Sequence, residues 1–363
     1  MIDQTAMVRP GEELDTTKLS SYLQTQLADT EWVAANSELV VEQFQQGFSN
    51  LTYMVQMGGR EMVLRRPPKG ANVVAGHDME REYRVLTGLA PLYSKIPRPV
   101  IFCADLDVLG VPFYLMERVK GVIIRNQPQP SPDLALTPPA MERLSKAFAT
   151  NLAVIHALDY TQTSLKNLQR PGNYVERQVQ GWLQRYARAK TDEIASVERV
   201  GSWLLDHIPP DSGASLIHND YKYDNMVLDT QDLTRIVAVL DWEMATIGDP
   251  LMDLGSTLAY WIEPDDPPEF VAVRGGYTLW PGNFNRAQLI QHYALASGRD
   301  VNNLVFYYAF GLFKLIVISQ QIYVRFQKGY SQDERFGQLM VGIINMGKMA
   351  ALAIEKNRIE HLG

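Results

Sequence analysis

Leu216-Ile217-His218-Asn219-Asp220-Tyr221-Lys222-Tyr223-Asp224-Asn225, followed by Val239-Leu240-Asp241-Trp242-Glu243, decides the reading of this chain. Each stretch opens on apolar residues that suit a short strand and closes on acids and amides that suit a loop. Asp220 and Asn225 stand five residues apart, and Asp241 ends the second apolar segment. One carboxylate in such a set can orient a hydroxyl. An amide oxygen and a further carboxylate are the hard oxygen ligands that Mg²⁺ prefers.

The bulk composition sets limits around this motif. The chain has 363 residues, 46 % of them hydrophobic and 21 % charged. That is an ordinary globular composition, enough for one large or two medium domains with a sizeable core. A formal charge of -7 argues against a nucleic-acid surface, which needs clustered Lys and Arg. Cys103 is the single cysteine, so no disulfide forms within the chain, and a reducing cytoplasm is the expected setting. Met1 to Asp15 lacks the apolar core of a signal peptide. Leu304 to Ile318 is strongly apolar, but Lys314 interrupts it and the uncharged run falls short of the ~20 residues of a span. A buried helix is expected there, with no membrane span.

Working outward from the motif, the period of the apolar residues changes along the chain. Asp15 or Thr16 is expected to cap a helix through about Leu27. Leu51, Tyr53 and Val55 then alternate with Thr52, Met54 and Gln56, Gly58-Gly59 reads as a hairpin turn, and Met62-Val63-Leu64 as the returning strand. Asp78 to Leu89 reads as a helix with Met79, Glu82 and Leu86 on one face. Strand-like segments follow at Val100-Ile101-Phe102 and Phe113-Tyr114-Leu115-Met116. A Pro-rich loop is expected over 127–140. Beyond it helical periodicity dominates: from Ala140, over Tyr174–Lys190 and Val197–His207, and in three closing helices at about 286–297, 301–328 and 332–357. The expected fold is α+β: a helical extension over 1–34, a small antiparallel β lobe with one helix over 35–118, and a larger, mainly helical lobe over 119–363.

The motif chemistry fits phosphoryl transfer, which asks for in-line positioning and countercharge more than for covalent work by the protein. Asp220 would orient the acceptor hydroxyl, and Lys222 would reach the transferring group. Asn225 and Asp241 would hold Mg²⁺. Glu243 would either help hold a second Mg²⁺ or face solvent. His218 reads as loop support, and Asp249 and Asp253 as residues at a helix start, with Pro250 in the first turn. No Gly-x-Ser-x-Gly elbow occurs, nor a His/Cys cluster suited to zinc.

His218-x-Asp220-x-x-x-x-Asn225 with Asp241 resembles the motif of the aminoglycoside phosphotransferase family and of the eukaryotic-like protein kinases. That family usually has Gly where this chain has Asn219. The resemblance implies a bilobal, protein-kinase-like fold that uses ATP and Mg²⁺, with the first lobe binding nucleotide. Gln46-Gly47-Phe48-Ser49-Asn50 falls where the family's phosphate-covering loop belongs, so Gly47, Ser49 and Asn50 are candidate nucleotide contacts. Arg65 ends the strand where kinases place a Lys that pairs with the phosphates, although Arg is no equivalent of Lys at a tight site. Arg66 is the alternative, on the opposite face of the strand. Glu82 is the expected partner of Arg65, with Glu80 second. Met116-Glu117-Arg118-Val119 would form the hinge, where the Glu117 carbonyl and the Val119 N–H would meet adenine.

The acceptor is less legible. Glu263, Asp265, Asp266 and Glu269 could make an acidic pocket for a polycation, or a solvated loop. Lys314, Arg325 and Lys328, beside Tyr307, Tyr308, Tyr323 and Phe326, could instead bind an anion such as a carboxylate or coenzyme A. Phe48-Ser49-Asn50-Leu51-Thr52-Tyr53, Val63-Leu64-Arg65-Arg66-Pro67, His77-Asp78-x-x-Arg81-Glu82-Tyr83 and Phe113-Tyr114-Leu115-Met116-Glu117-Arg118 look like the branch associated with acyl-CoA dehydrogenases. That resemblance implies a hydroxy-acid or hydroxyacyl-CoA acceptor. The kinase-like fold and closing helices are expected to use up the length, leaving none for a dehydrogenase domain. The expected function is a small-molecule kinase acting on an alcohol group, as a monomer or homodimer. The alternatives are a kinase-shaped nucleotide-binding module without turnover, and an aminoglycoside, choline or sugar kinase.

Overall fold

The computed structural model describes residues 5–33, 37–45, 50–68, 78–127, 134, 136–329 and 334–363. The fold is α+β and divides into two compact units. The first comprises Met1–Ile124, Tyr160–Leu165 and Asn225–Ala245; the second comprises Arg125–Asp159, Lys166–Asp224 and Thr246–Gly363. In chain order the elements begin with β1 (Thr5–Ala6), α1 (Thr16–Gln26), β2 (Leu39–Phe44), β3 (Leu51–Met57), β4 (Arg60–Arg66), α2 (Met79–Leu89), β5 (Pro99–Cys103), α3 (Leu106–Leu109) and β6 (Phe113–Glu117). There follow α4 (Pro138–His156), α5 (Tyr174–Ala189), α6 (Ala195–Asp206), β7 (Ser215–Ile217), β8 (Met226–Leu228), β9 (Ile236–Val239) and β10 (Thr246–Gly248). The chain closes with α7 (Pro250–Leu258), α8 (Pro268–Arg274), α9 (Arg286–Ser297), α10 (Leu304–Gln327) and α11 (Leu339–Lys356).

In the first unit a six-stranded antiparallel sheet runs in the order β1-β2-β3-β4-β6-β5. Strand alternation sorts its side chains by face. Tyr53, Val55 and Met57 of β3, with Met62 and Leu64 of β4, join Leu19, Leu23 and Leu27 in one apolar cluster. The N-terminal segment is therefore no separate extension. β1 pairs with β2 and α1 lies in the core of the unit, so the division expected at 34/35 is absent; the unit also extends past the expected boundary at 118 and takes in residues 225–245. Asp15 caps α1 by accepting from the Lys18 N–H, and Asp78 caps α2 by accepting from the Arg81 N–H.

The second unit is helical apart from a short pairing of β7 with β10. α10 is long and apolar enough to cross a membrane, but 72 % of its apolar window is buried against protein. It crosses α7 with no space for a side chain. A Cβ on Gly255 would stand 2.3 Å from the Tyr307 carbonyl oxygen, and one on Gly311 would stand 2.4 Å from the Gly255 carbonyl oxygen. Both obstacles are backbone, which no rotamer change relieves. Gly255→Ala is accordingly expected to destabilise the fold by at least the ~1–3 kcal/mol typical of overpacking. Denaturant titration checks this, and an unchanged midpoint would contradict the close approach.

Candidate active site

In the first unit the β8–β9 hairpin brings two motif residues to one end. Met226 pairs with Val239, and the Leu240 N–H donates to the Asn225 carbonyl at 2.8 Å. Asn225 and Asp241 therefore flank the same hairpin end. Asp241 takes a left-handed backbone conformation (φ 65°), which turns the chain sharply into the short helix Trp242–Met244.

Arg65, on the face of β4 opposite to Arg66, meets this turn. Its guanidinium bonds Glu82 of α2, lies 3.2 and 3.3 Å from Asp241 Oδ1, and stands 3.5 Å from Glu243 Oε2. Burial alone would lower the guanidinium pKa; the Glu82 charge first, then Tyr114, Asp241 and Glu243, hold it well above the ordinary value. Glu82 is buried, as its helical face predicts, while Glu80 lies on the outer side with Arg84. Arg66 reaches Tyr53 Oη and the Glu12 carbonyl instead. Glu243 does not simply face solvent: besides Arg65, it accepts from Asn50 Nδ2 at 3.1 Å. Arg81, unassigned by sequence reasoning, donates from α2 to the carbonyls of Glu243 and Ala245.

Three carboxylates thus meet two guanidiniums, Arg65 and Arg81, leaving a formal charge of about −1 where Asp241 and Glu243 retain partial exposure. With Asn225 at the hairpin end, this oxygen-rich donor set fits a hard divalent cation such as Mg²⁺. Gly47 and Ser49 lie outside the described residues. Glu117 ends β6, with its N–H on the Arg98 carbonyl and its carboxylate on Arg98 Nε. Val119 packs beside Ile123, Val227 and Ala238.

In the second unit the loop after β7 carries Asp220. Asn219 is left-handed (φ 66°), a conformation Gly and Asn tolerate better than other residues, which explains how Asn can stand at the family's Gly position. Asp253 fixes the loop: it accepts from the His218 N–H and the Asn219 N–H at 2.7 Å each, and from His156 Nε2 at 3.1 Å. His218 Nδ1 accepts from the Asp220 N–H. Asp249 caps α7 and bonds Ser212. Asp249 thus sits at the helix start as expected, while Asp253, in the first turn, braces the Asp220 loop.

Both oxygens of Asp220 are engaged. Tyr260 Oη donates to Oδ1 at 2.7 Å, and Lys222 Nζ stands 2.9 Å from Oδ2. Burial pushes the Asp220 carboxyl up, but the Lys222 charge and the two hydrogen bonds outweigh it and hold the pKa below the ordinary value. Tyr260 left no signal in the sequence, because nothing local marks the tyrosine that will reach a loop 40 residues away.

The two expected acceptor surfaces resolve differently. Glu263 and Asp266 close on the buried Arg286, so they form an internal ion cluster and no open acidic pocket. Lys314 does not share a surface with the exposed Arg325 and Lys328. It is buried, and its Nζ donates to the Asn219 carbonyl at 2.6 Å. Burial lowers its pKa to about 8, against the partial support of Asp220 and Asp253.

Two tests follow from these contacts. Arg65→Met strands the buried Glu82 carboxylate, so a loss of about 3–5 kcal/mol in unfolding free energy is expected, and a stability close to the parent's would contradict the cluster. Lys314 binds its proton more weakly when folded, so the unfolded chain holds more protons between about pH 8 and 10.5. Stability is then expected to gain on the order of a few kcal/mol from this residue as pH rises through that window. Lys314→Met should flatten the rise in pH-dependent melts; an identical pH profile would count against the buried ammonium.

The chain has relatives among known proteins. The chain is 31 % identical over 332 residues to human acyl-CoA dehydrogenase family member 11, covering 91 % of this chain and 42 % of that protein. It spans less than half the length of the curated relatives it matches. A crystal structure described as a putative aminoglycoside phosphotransferase from Ralstonia eutropha JMP134 superposes with a TM-score of 0.76 at 29 % identity, covering 93 % of this chain and 98 % of that one. A spectinomycin phosphotransferase solved with ADP and spectinomycin shares the fold at TM-score 0.56 and 13 % identity, over 94 % and 99 % of the two chains. The model of the phosphotransferase enzyme family APH matches residues 40–289, and the chain belongs to that family.

Proposed function

We propose that this protein transfers the γ-phosphoryl group of ATP to a hydroxyl of a small acceptor, and that the acceptor is a hydroxy acid or its coenzyme A thioester. The observation that carries the reading is Asp220, a carboxylate kept ionised and held at both oxygens on a braced loop. The likeness to an acyl-CoA dehydrogenase family member supports the acyl character of the acceptor.

A carboxylate with a depressed pKa is a weak base, and that suits this chemistry. In a loose phosphoryl-transfer transition state the hydroxyl proton leaves late, so orientation matters more than basicity. Asp220 accepts the hydroxyl proton as a hydrogen bond and aims the oxygen. The new P–O bond forms to that oxygen while the bond to the bridging oxygen of ADP breaks. Lys222 supplies positive charge beside the acceptor oxygen. Asn225 and Asp241 would hold Mg²⁺, which supplies countercharge on the nucleotide phosphates when bound.

Asp220→Asn keeps the shape and removes the charge. A fall of about 10²–10⁴-fold in kcat is expected, with ATP affinity little changed. Phosphorylated product measured by mass spectrometry, alongside nucleotide titration, checks both quantities. Full turnover in the variant would sink the assignment. Nucleotide binding without turnover by the parent protein, across acyl, cationic and sugar acceptors, would favour a kinase-shaped binding module.

A further inference from the structure

Arg274 is a half-buried cation of the second unit. It ends α8, and among the described residues it has no carboxylate within ion-pair distance. Its Nε is buried without a hydrogen-bond partner. The groups that act on its charge are three tyrosines instead: Tyr260, Tyr277 and Tyr308. Burial lowers its pKa, and only these hydroxyls offset the effect. By contrast Arg286 has Glu263 and Asp266, and Lys222 has Asp220.

A guanidinium partly withdrawn from water with no acid beside it keeps donors for a partner from outside the chain. Its place says which partner. The Arg274 guanidinium carbon lies 6.0 Å from the Tyr260 ring centre, and Lys222 Nζ lies 4.8 Å from the same ring. The hydroxyl of that ring donates to Asp220. One tyrosine therefore separates Arg274 from the carboxylate that orients the acceptor. The remaining neighbours are already committed: Tyr277 donates to Asp224, and Tyr308 accepts from Arg286.

We infer that Arg274 is a specificity-determining residue that donates to an acyl oxygen of the acceptor, a few bonds from the hydroxyl held at Asp220. This rests on the proposed function and names the group that is read. The shared chemistry is an oxygen acceptor on an acyl carbon, either the carboxylate of a free hydroxy acid or the carbonyl of its thioester. A guanidinium bonds both, and bonds the charged one more strongly.

The test is calorimetric titration of the full chain in the presence of a non-hydrolysable ATP analogue and Mg²⁺. The probes are 4-hydroxypentanoate, its N-acetylcysteamine thioester, and 2-pentanol, which has the hydroxyl but no acyl oxygen. Acyl probes are expected to bind the parent protein more tightly than 2-pentanol. In Arg274→Met that preference should shrink about ten- to a hundredfold, the value of a charge-assisted hydrogen bond. Arg274→Lys, which keeps the charge, should retain part of it and guards against misfolding of the first variant. The ratio of the two acyl probes tells carboxylate from thioester. Equal binding of all three probes to the parent, no acyl binding at all, or a parallel loss for 2-pentanol would each overturn the inference. Arg274-dependent binding without phosphorylation would defeat the proposed reaction and leave the inference standing. Phosphorylation of a cationic acceptor at an unchanged rate in Arg274→Met would do the reverse.

Discussion

The Arg65 guanidinium is the fixed point of the first unit. It is buried, permanently charged and faced by Glu82, Asp241 and Glu243. These groups come from a strand, a helix and the turn beyond a separate hairpin, so their convergence ties three pieces of chain to one another. The tie carries strain of a useful kind. The three carboxylates repel each other, and the deficit of positive charge that Arg65 and Arg81 leave is what a divalent ion would relieve. Lys could supply the charge but not the fork that reaches several carboxylates at once. The Arg at the position where kinases place Lys therefore makes physical sense as the centre of a cluster larger than a single ion pair.

The second unit solves a related problem by different means. Its central carboxylate, Asp220, is confined by a tyrosine and a lysine, while Asp253 and Lys314 hold the backbone of its loop from two helices. Asp253 accepts two N–H groups and Lys314 donates to a carbonyl, so consecutive peptide units are pinned with opposite polarity. A left-handed residue such as Asn219 is retained when its surroundings over-determine it.

Much of this was legible in the sequence. Periodicity and caps located most of the strands and helices, because Asp15, Asp78 and Asp249 each precede a helical run with a side chain that satisfies a free N–H. Glu82 could be placed inward because a helical face is a local property. What escaped was non-local. Tyr260, Arg81 and Arg274 sit in segments whose own pattern says nothing of the loop, turn or aromatic nest they reach. The N-terminal helix looked detachable because its burial depends on β3 and β4, and the lone β1 pair is too short to leave a pattern. Glu263 and Asp266 suggested an acidic pocket or a solvated loop because their counterion, Arg286, lies some twenty residues downstream.

The crossing of α7 and α10 has a consequence for inheritance. Gly255 lies two residues after Asp253 on α7, and Gly311 lies three before Lys314 on α10. Because the backbones touch at these glycines, the spacing between the two loop anchors is set by atoms that no side chain can pad. A lineage could change the walls around the acceptor freely, residue by residue, and keep its loop in register. It could not gain a single methyl at either glycine without moving both anchors together.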